Sequence, residues 1–362
     1  MHVLCAPSTK APDSLPIFND KQTISITNNT VVSSYNFTID QTHPDAEFLQ
    51  LGNYVAFVDK YQDMKLYTLV SHSGDELQQT WNSEDIGMDL INETANKLDK
   101  PSEAHPIAWY YEKYVLPDTG WSIGLNEISN LTRTLSFDGQ SDSQLTRLGD
   151  MANQFDGAEI SFSIEMYGSK VTKQLINIHK KVGNPLVQDR YINDVNLKSL
   201  SSSGSIETLC TAMLGYGGTP ESTGDNSTEK PPVTFVDIAY DDGRYYSPVG
   251  HNKIFDRQGR LTWSRFRGFD NPKASEFDGY IVGIFTYDTT DPKELLNRTL
   301  TELKSRNTPQ ETWEADLLEI NADIGDYVQI AHNHYNPPIY LRARIQQVEN
   351  CYTADGQDTG IL

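Results

Sequence analysis

The chain has 362 residues, enough for roughly two to three domains of about 150 residues and for substantial buried cores. Its formal net charge of −21 excludes a basic nucleic-acid reader, and no apolar run approaches the ~20 residues of a membrane span. Cys5, Cys210 and Cys351 are odd in number and far apart, which excludes a disulfide framework and a zinc-ligand spacing.

In chain order, residues 1–20 are proline-rich and lack periodicity. Strand-like runs follow: Thr23 to Thr27, an Asn28-Asn29 turn, Val31 to Ile39, Tyr54 to Val58 after Gly52-Asn53, and Leu66 to Val70. Asp85 to Leu98 carries Met88, Ile91 and Ala95 at helical spacing, so a helix is expected to close this small antiparallel β domain. A boundary follows at Lys100 to Pro106. Ile107 to Leu116 predicts a helix stopped by Pro117, and Gly120-Trp121 opens a strand running to Ile128. Ser141-x-x-Gln144 reads as a capping box for a helix with Leu145, Leu148, Met151, Ala152 and Phe155 on its apolar stripe, ended by Gly157. Ala158 to Met166 alternates, turns at Gly168 and returns to His179, so residues 106–198 read as an α/β domain.

From residue 199 the texture turns to serine and glycine. A helix is expected with Ile206, Leu209, Cys210 and Met213 inward, stopped at Gly217-Gly218. Thr219 to Pro232 is a polar loop, Val233 to Tyr240 a strand, and Tyr280 to Tyr287 a buried strand. Asp291-Pro292 starts a helix with Leu295, Leu296, Leu300 and Leu303 as its core face. The chain ends in a hairpin. Tyr327 to Ile330 forms one strand; Ile339 to Val348 forms the other, with Leu341, Ala343 and Ile345 on its buried face and Arg342 and Arg344 on its polar face.

Few residues offer chemistry. His332 and His334 share a face if extended, but no third ligand stands at metal spacing unless Asp323 or Asp326 folds back, so the run reads as a polar loop. Ser71-His72-Ser73-Gly74-Asp75 holds triad residue types, but adjacent strand residues point apart. Asp241-Asp242-Gly243 and Phe255 to Gly259 read as turns. Arg342 and Arg344 suit an ion-paired subunit contact, with Arg344 expected at a subunit or tube-ring surface. No catalytic, cofactor-binding or metal residue is assigned, and no cofactor is expected. The acidic balance reads first as solubility, with repulsion of passing phosphate as the sharper alternative.

The Ile324-Gly325-Asp326-Tyr327-Val328 entry, the proline-containing loop and the Tyr340 to Glu349 return strand resemble the prophage tail endopeptidase family, also called tail-associated lysins, the baseplate hub proteins of long-tailed phages. Trp109-Tyr110-Tyr111 leading to Thr119-Gly120-Trp121, the Glu159 to Phe162 strand, the Leu209 to Gly217 segment and Asp291-Pro292 are similar to the same family. The resemblance implies an α+β, mainly β fold: two related β-barrel tube domains with α/β lateral or inserted domains, as in the trimeric hub of contractile tails. Carried onto this chain, residues 1–105 are the first tube domain, 106–198 the lateral domain, 199–240 with 313–362 the second tube domain, and 241–312 its insertion with a helix. The echo of Gly52-Asn53-Tyr54-Val55 in Gly325-Asp326-Tyr327-Val328 fits a duplicated domain.

What the resemblance implies for function is structural. A homotrimer at the virion tail tip, made in the bacterial host cytoplasm, closes the tube, docks on the distal tail protein, encloses the end of the tape-measure protein and opens for DNA ejection. Receptor-binding proteins are further partners it allows, and DNA only passes through. Lytic activity in such families resides in a domain attached after the hub region, so none is expected in this chain. The alternatives are a peptidoglycan-degrading endopeptidase and a carbohydrate-binding adhesion module.

Overall fold

Alternation of β-branched and aromatic residues with polar ones builds the first sheet. Phe18–Thr27 and Thr30–Asp40 pair antiparallel, with Thr27 opposite Thr30. Asn28 and Asn29 make the turn between them at φ 45° and 57°, a left-handed conformation that asparagine tolerates. Gln78–Asp85 pairs with Thr30–Asp40, placing Phe37 opposite Trp81, and Met64–Gly74 and Tyr54–Val58 continue the sheet. Its inward positions bury Tyr35, Phe37, Ile39, Val55, Tyr67, Leu69 and Trp81 as one cluster. In this computed structural model the described residues are 2–4, 15–137, 142–168, 170–219, 231–264, 275–317, 322–353 and 359–361. Among them the fold is mainly β with few helices, and no sheet closes into a barrel.

The chain forms two units, residues 1–201 with 313–362, and residues 202–312. In the first unit, the helix expected over Asp85 to Leu98 is a short 3-10 helix, Ile86–Ile91. Asp85 caps it by accepting from the Gly87 N–H at 2.8 Å, and a Cβ on Gly87 would meet the Phe162 ring, so this short turn packs tightly on the sheet behind it. Helix α1, Ile107–Tyr114, and helix α2, Gln144–Gln154, pack together through the Tyr111 hydroxyl, which donates to the Leu148 carbonyl at 2.9 Å. The cap of α2 is Ser143, whose Oγ accepts from the Thr146 N–H; the expected cap, Ser141, lies outside the described residues. Leu148, Met151, Ala152 and Phe155 join Ile160, Ile176 and Ile178 of the Glu159–Tyr167 and Lys170–His179 hairpin in the largest core.

The closing hairpin is present with a shorter second strand. Tyr327–His332 pairs with Ile339–Arg344 so that Val328 faces Ala343 and Ile330 faces Leu341. The expected run to Val348 breaks after Arg344, where Ile345 turns into the core, and resumes as Gln347–Asn350 on a different sheet, against Phe18–Thr27. A third strand, Val187–Ile192, lies parallel to Tyr327–His332.

In the second unit, the segment read as a helix through Met213 is a strand, Ala212–Tyr216, held between Lys253–Asp256 and Val282–Thr286. Two-sided pairing overrides the helical spacing of Leu209, Cys210 and Met213. Residues 233–239 turn instead of extending, and only Tyr240–Asp241 joins the sheet. Val282–Thr286 is the last strand of that sheet and leaves Val282 and Ile284 exposed, against the expected burial. Helix α4, Pro292–Arg306, starts at Asp291 as expected and buries Leu295, Leu296, Thr299, Leu300 and Leu303. Gly215 admits it: a Cβ there would stand 2.3 Å from the Thr299 Oγ1. Asp256, in a segment read as a plain turn, is a fully buried hub that binds Arg244 through two hydrogen bonds, accepts from Asn307 and caps a third helix, α3, Arg257–Trp263.

Candidate functional site

A cleft of the first unit has a volume of about 390 Å³. Its floor comes from the Glu159–Tyr167 and Lys170–His179 hairpin (Phe162, Ile164, Asn177, His179) and its rim from the turn between Tyr54–Val58 and Met64–Gly74. That turn is organised by Asp59, buried to 3% exposure, whose Oδ1 accepts from the Tyr61 and Asp63 N–H groups at 2.9 Å each. Lys65 Nζ lies 3.4 Å from the other Asp59 oxygen. Asp85 enters from the end of its strand, accepting from Gly87 N–H and from the Ser33 hydroxyl at 3.2 Å. Asp323 closes the opposite side, and the Tyr61 hydroxyl donates to the Ala322 carbonyl there.

Burial decides the electrostatics. It pushes the Asp85 carboxyl up to about 6, with the Gly87 N–H, Lys65 and Ser33 opposing only in part. Burial also raises Asp323, helped by Asp326, and raises the Tyr61 hydroxyl, helped by Asp323. Ser161 Oγ and His179 Nε2 are 2.8 Å apart on the cleft wall. Burial lowers His179, against the pull of Glu127 and Glu159, which favours the neutral ring. A serine beside a neutral histidine is half of a nucleophilic couple. The other half, a carboxylate orienting the second ring nitrogen, is not within ion-pair distance among the described residues. The pair joins two adjacent strands as a cross-strand polar contact.

The residues singled out in the sequence do not converge. His332 and His334 stand edge to face with centroids 5.5 Å apart, and His332 Nδ1 is buried without a hydrogen-bond partner. His334 Nε2 lies 3.1 Å from Asp194 in an exposed pair. Asp326 accepts instead from the Asn184 and Asp323 N–H groups, and among the described residues no cluster suits a metal ion. The His72 ring lies tilted against Trp81 with centroids 4.6 Å apart, while Asp75 binds the N–H groups of Leu77 and Gln78 in the next turn, so Ser71 to Asp75 forms no triad. Asp241 pairs with Arg257 and accepts from Gly243 N–H, as a turn should.

Arg344 corrects an expectation. It does not sit on a free polar face; it grips Glu159 with two hydrogen bonds of 2.9 and 2.6 Å and also donates to the Gly325 and Val182 carbonyls. Burial would raise the Glu159 carboxyl, but Arg344, the Val182 N–H and Lys181 outweigh it and hold it below the usual range. Arg342 remains exposed, its guanidinium 4.3 Å over the Tyr327 ring. Asp85, Ser161, His179 and Glu159 were missed in the sequence because each is a single polar residue in a strand, a position that alternation assigns to solvent.

No family model matches the chain, and no curated protein matches it in sequence. Solved structures do share its fold. The prophage tail protein gp18 from Listeria monocytogenes EGD-e superimposes with a TM-score of 0.61 at 13% identity, covering 99% of this chain and 93% of that one. The 43 kDa tail protein of prophage MuSo2 from Shewanella oneidensis gives 0.58 at 10% identity, covering 100% and 97%. A tail protein from Neisseria meningitidis MC58 gives 0.56 at 9% identity, covering 99% and 95%. At these identities the likeness is one of fold.

Proposed function

We propose that this chain is a structural protein of a phage tail, placed at the tail tip as a baseplate hub. The observation that carries the reading is the end-to-end likeness to prophage tail proteins: both units are included, and nearly the whole of each neighbour is matched. In this reading three copies close the tail tube. The distal tail protein lies above, the end of the tape-measure protein is enclosed, and the assembly opens for DNA. A net charge of −21 per chain suits a lumen that DNA passes without adhering, since like charge is screened less inside a channel than on an outer surface.

Light scattering on the purified chain tests the stoichiometry. The reading expects a particle of three copies, strengthening with moderate salt as self-repulsion is screened; a monomer at every concentration and salt would overturn it. The same preparation should release no amines from peptidoglycan, since among the described residues no carboxylate orients the His179 ring beside Ser161. Release that His179→Ala abolishes would make the chain an enzyme instead.

A further inference from the structure

The three-stranded sheet of the first unit assembles a basic face with no carboxylate partner among the described residues. Val187–Ile192, Tyr327–His332 and Ile339–Arg344 lie side by side in that order. Arg190 is opposite Gln329, and Gln329 is opposite Arg342, so the three form one row across one face, and all are exposed. The next row is Ile192, Ala331 and Tyr340, with Tyr340 63% exposed. The reverse face is the buried one, carrying Tyr191, Val328 and Ile330. Arg342 is held in place by the Tyr327 ring and by a hydrogen bond to the Pro185 carbonyl, while Arg344 is drawn away to Glu159.

No carboxylate lies within ion-pair distance of Arg190 or Arg342 among the described residues. In a chain with 50 acidic and 29 basic residues, two arginines without a carboxylate partner among the described residues stand out beside an exposed tyrosine, because carboxylates so outnumber cations. Ile339–Arg344 is also the last strand of its sheet, with a row of backbone groups open to a neighbour. Arginine and tyrosine are the residues enriched at the centres of protein interfaces.

We infer that this face docks a second copy of the chain, whose carboxylate-rich surface meets Arg190, Arg342 and Tyr340. The partner follows from charge: each copy carries −21 and is itself the acidic surface the face requires. The geometry of the contact follows too. A twofold axis through the face would set Arg190 and Arg342 against the same arginines, so the face meets a different surface of its neighbour, and a head-to-tail contact of this kind makes a ring where its rotation closes. This rests on the reading of the chain as a multi-copy tail component and adds the surface by which the copies join.

Sedimentation of the full chain over a range of concentrations tests it. Arg190→Glu/Arg342→Glu should raise the dissociation constant of the assembly by about tenfold or more, and the effect should shrink as salt screens the contact. Lys170→Glu/Lys173→Glu, at exposed positions of the Lys170–His179 strand, changes the net charge equally and should have much less effect. Arg190→Glu alone and Tyr340→Ala, at exposed positions, serve if the double variant fails to fold, and each should weaken assembly. If the wild type assembles and these variants assemble as well as the lysine control, the docking face is wrong and the multi-copy reading stands. A wild type that never assembles overturns both.

Discussion

Arg344→Ala should destabilise the fold of the monomer, because Arg344 is an internal anchor. Glu159 is 3% exposed in its side chain and Arg344 14%, and the pair joins the Glu159–Tyr167 strand to the closing hairpin. Removing one partner of a buried ion pair typically costs about 3–5 kcal/mol, because the other is left charged and desolvated. Here Glu159 retains the Val182 N–H at 2.8 Å and Lys181 at 3.0 Å, and Lys181 is half exposed, so the expected loss falls to about 2–3 kcal/mol. Urea unfolding of Arg344→Ala, Glu159→Gln and the double variant forms a cycle, in which the double should lose less than the sum by about 1 kcal/mol or more. The Glu159 carboxyl titrates below its ordinary value when folded, so its advantage over glutamine is full above the ordinary carboxylate range and vanishes as pH falls through the folded value. An Arg344→Ala chain of unchanged stability, or a cycle that sums without coupling, would refute the reasoning.

Three further outcomes are expected. Asp85→Asn should raise the melting temperature at pH 8, where the wild-type carboxyl is ionised against its burial; the gain should fade through pH 6 and be absent near pH 4, and a gain independent of pH would show that charge is not the cause. Gly183→Ala should cost about 2 kcal/mol or more in urea unfolding, since its φ is +84° and a Cβ would stand 2.1 Å from the Gly325 carbonyl carbon; a neutral substitution would mean that this crossing of two turns gives way freely. Asp256→Ala should destabilise the second unit by about 3 kcal/mol, because it strips Arg244, Asn307 and the α3 cap of one shared acceptor, and faster hydrogen exchange in residues 240–263 should report it.

The strands through Phe37 and Ile39 and through Val55 and Leu69 were legible because one face of each is buried and alternates with polar residues, whereas Gln78–Asp85, which carries Trp81, is not marked as a strand in the sequence reading. Helix α4 was legible for a local reason, Asp291-Pro292 ahead of four leucines. The strand Ala212–Tyr216 was not, because Leu209, Cys210 and Met213 have helical spacing and its two partners lie some forty and seventy residues downstream, as its pairing with Lys253–Asp256 and Val282–Thr286 shows. Arg344 was placed on the correct strand but given the wrong partner, since Glu159 is 185 residues away and no local pattern marks it. The cleft has the same character: Asp85, Ser161, His179 and Asp323 come from four segments, and only the packing of a sheet, a hairpin and a turn brings them around one cleft.

The central claim is a place in a tail, and immunogold labelling of tailed particles released by cells that make this chain tests it most directly. An antibody raised to the purified chain should mark one end of the tail, away from the head, with the shaft bare. Gold along the shaft, gold on the head, or unlabelled particles alongside abundant free chain would contradict the account.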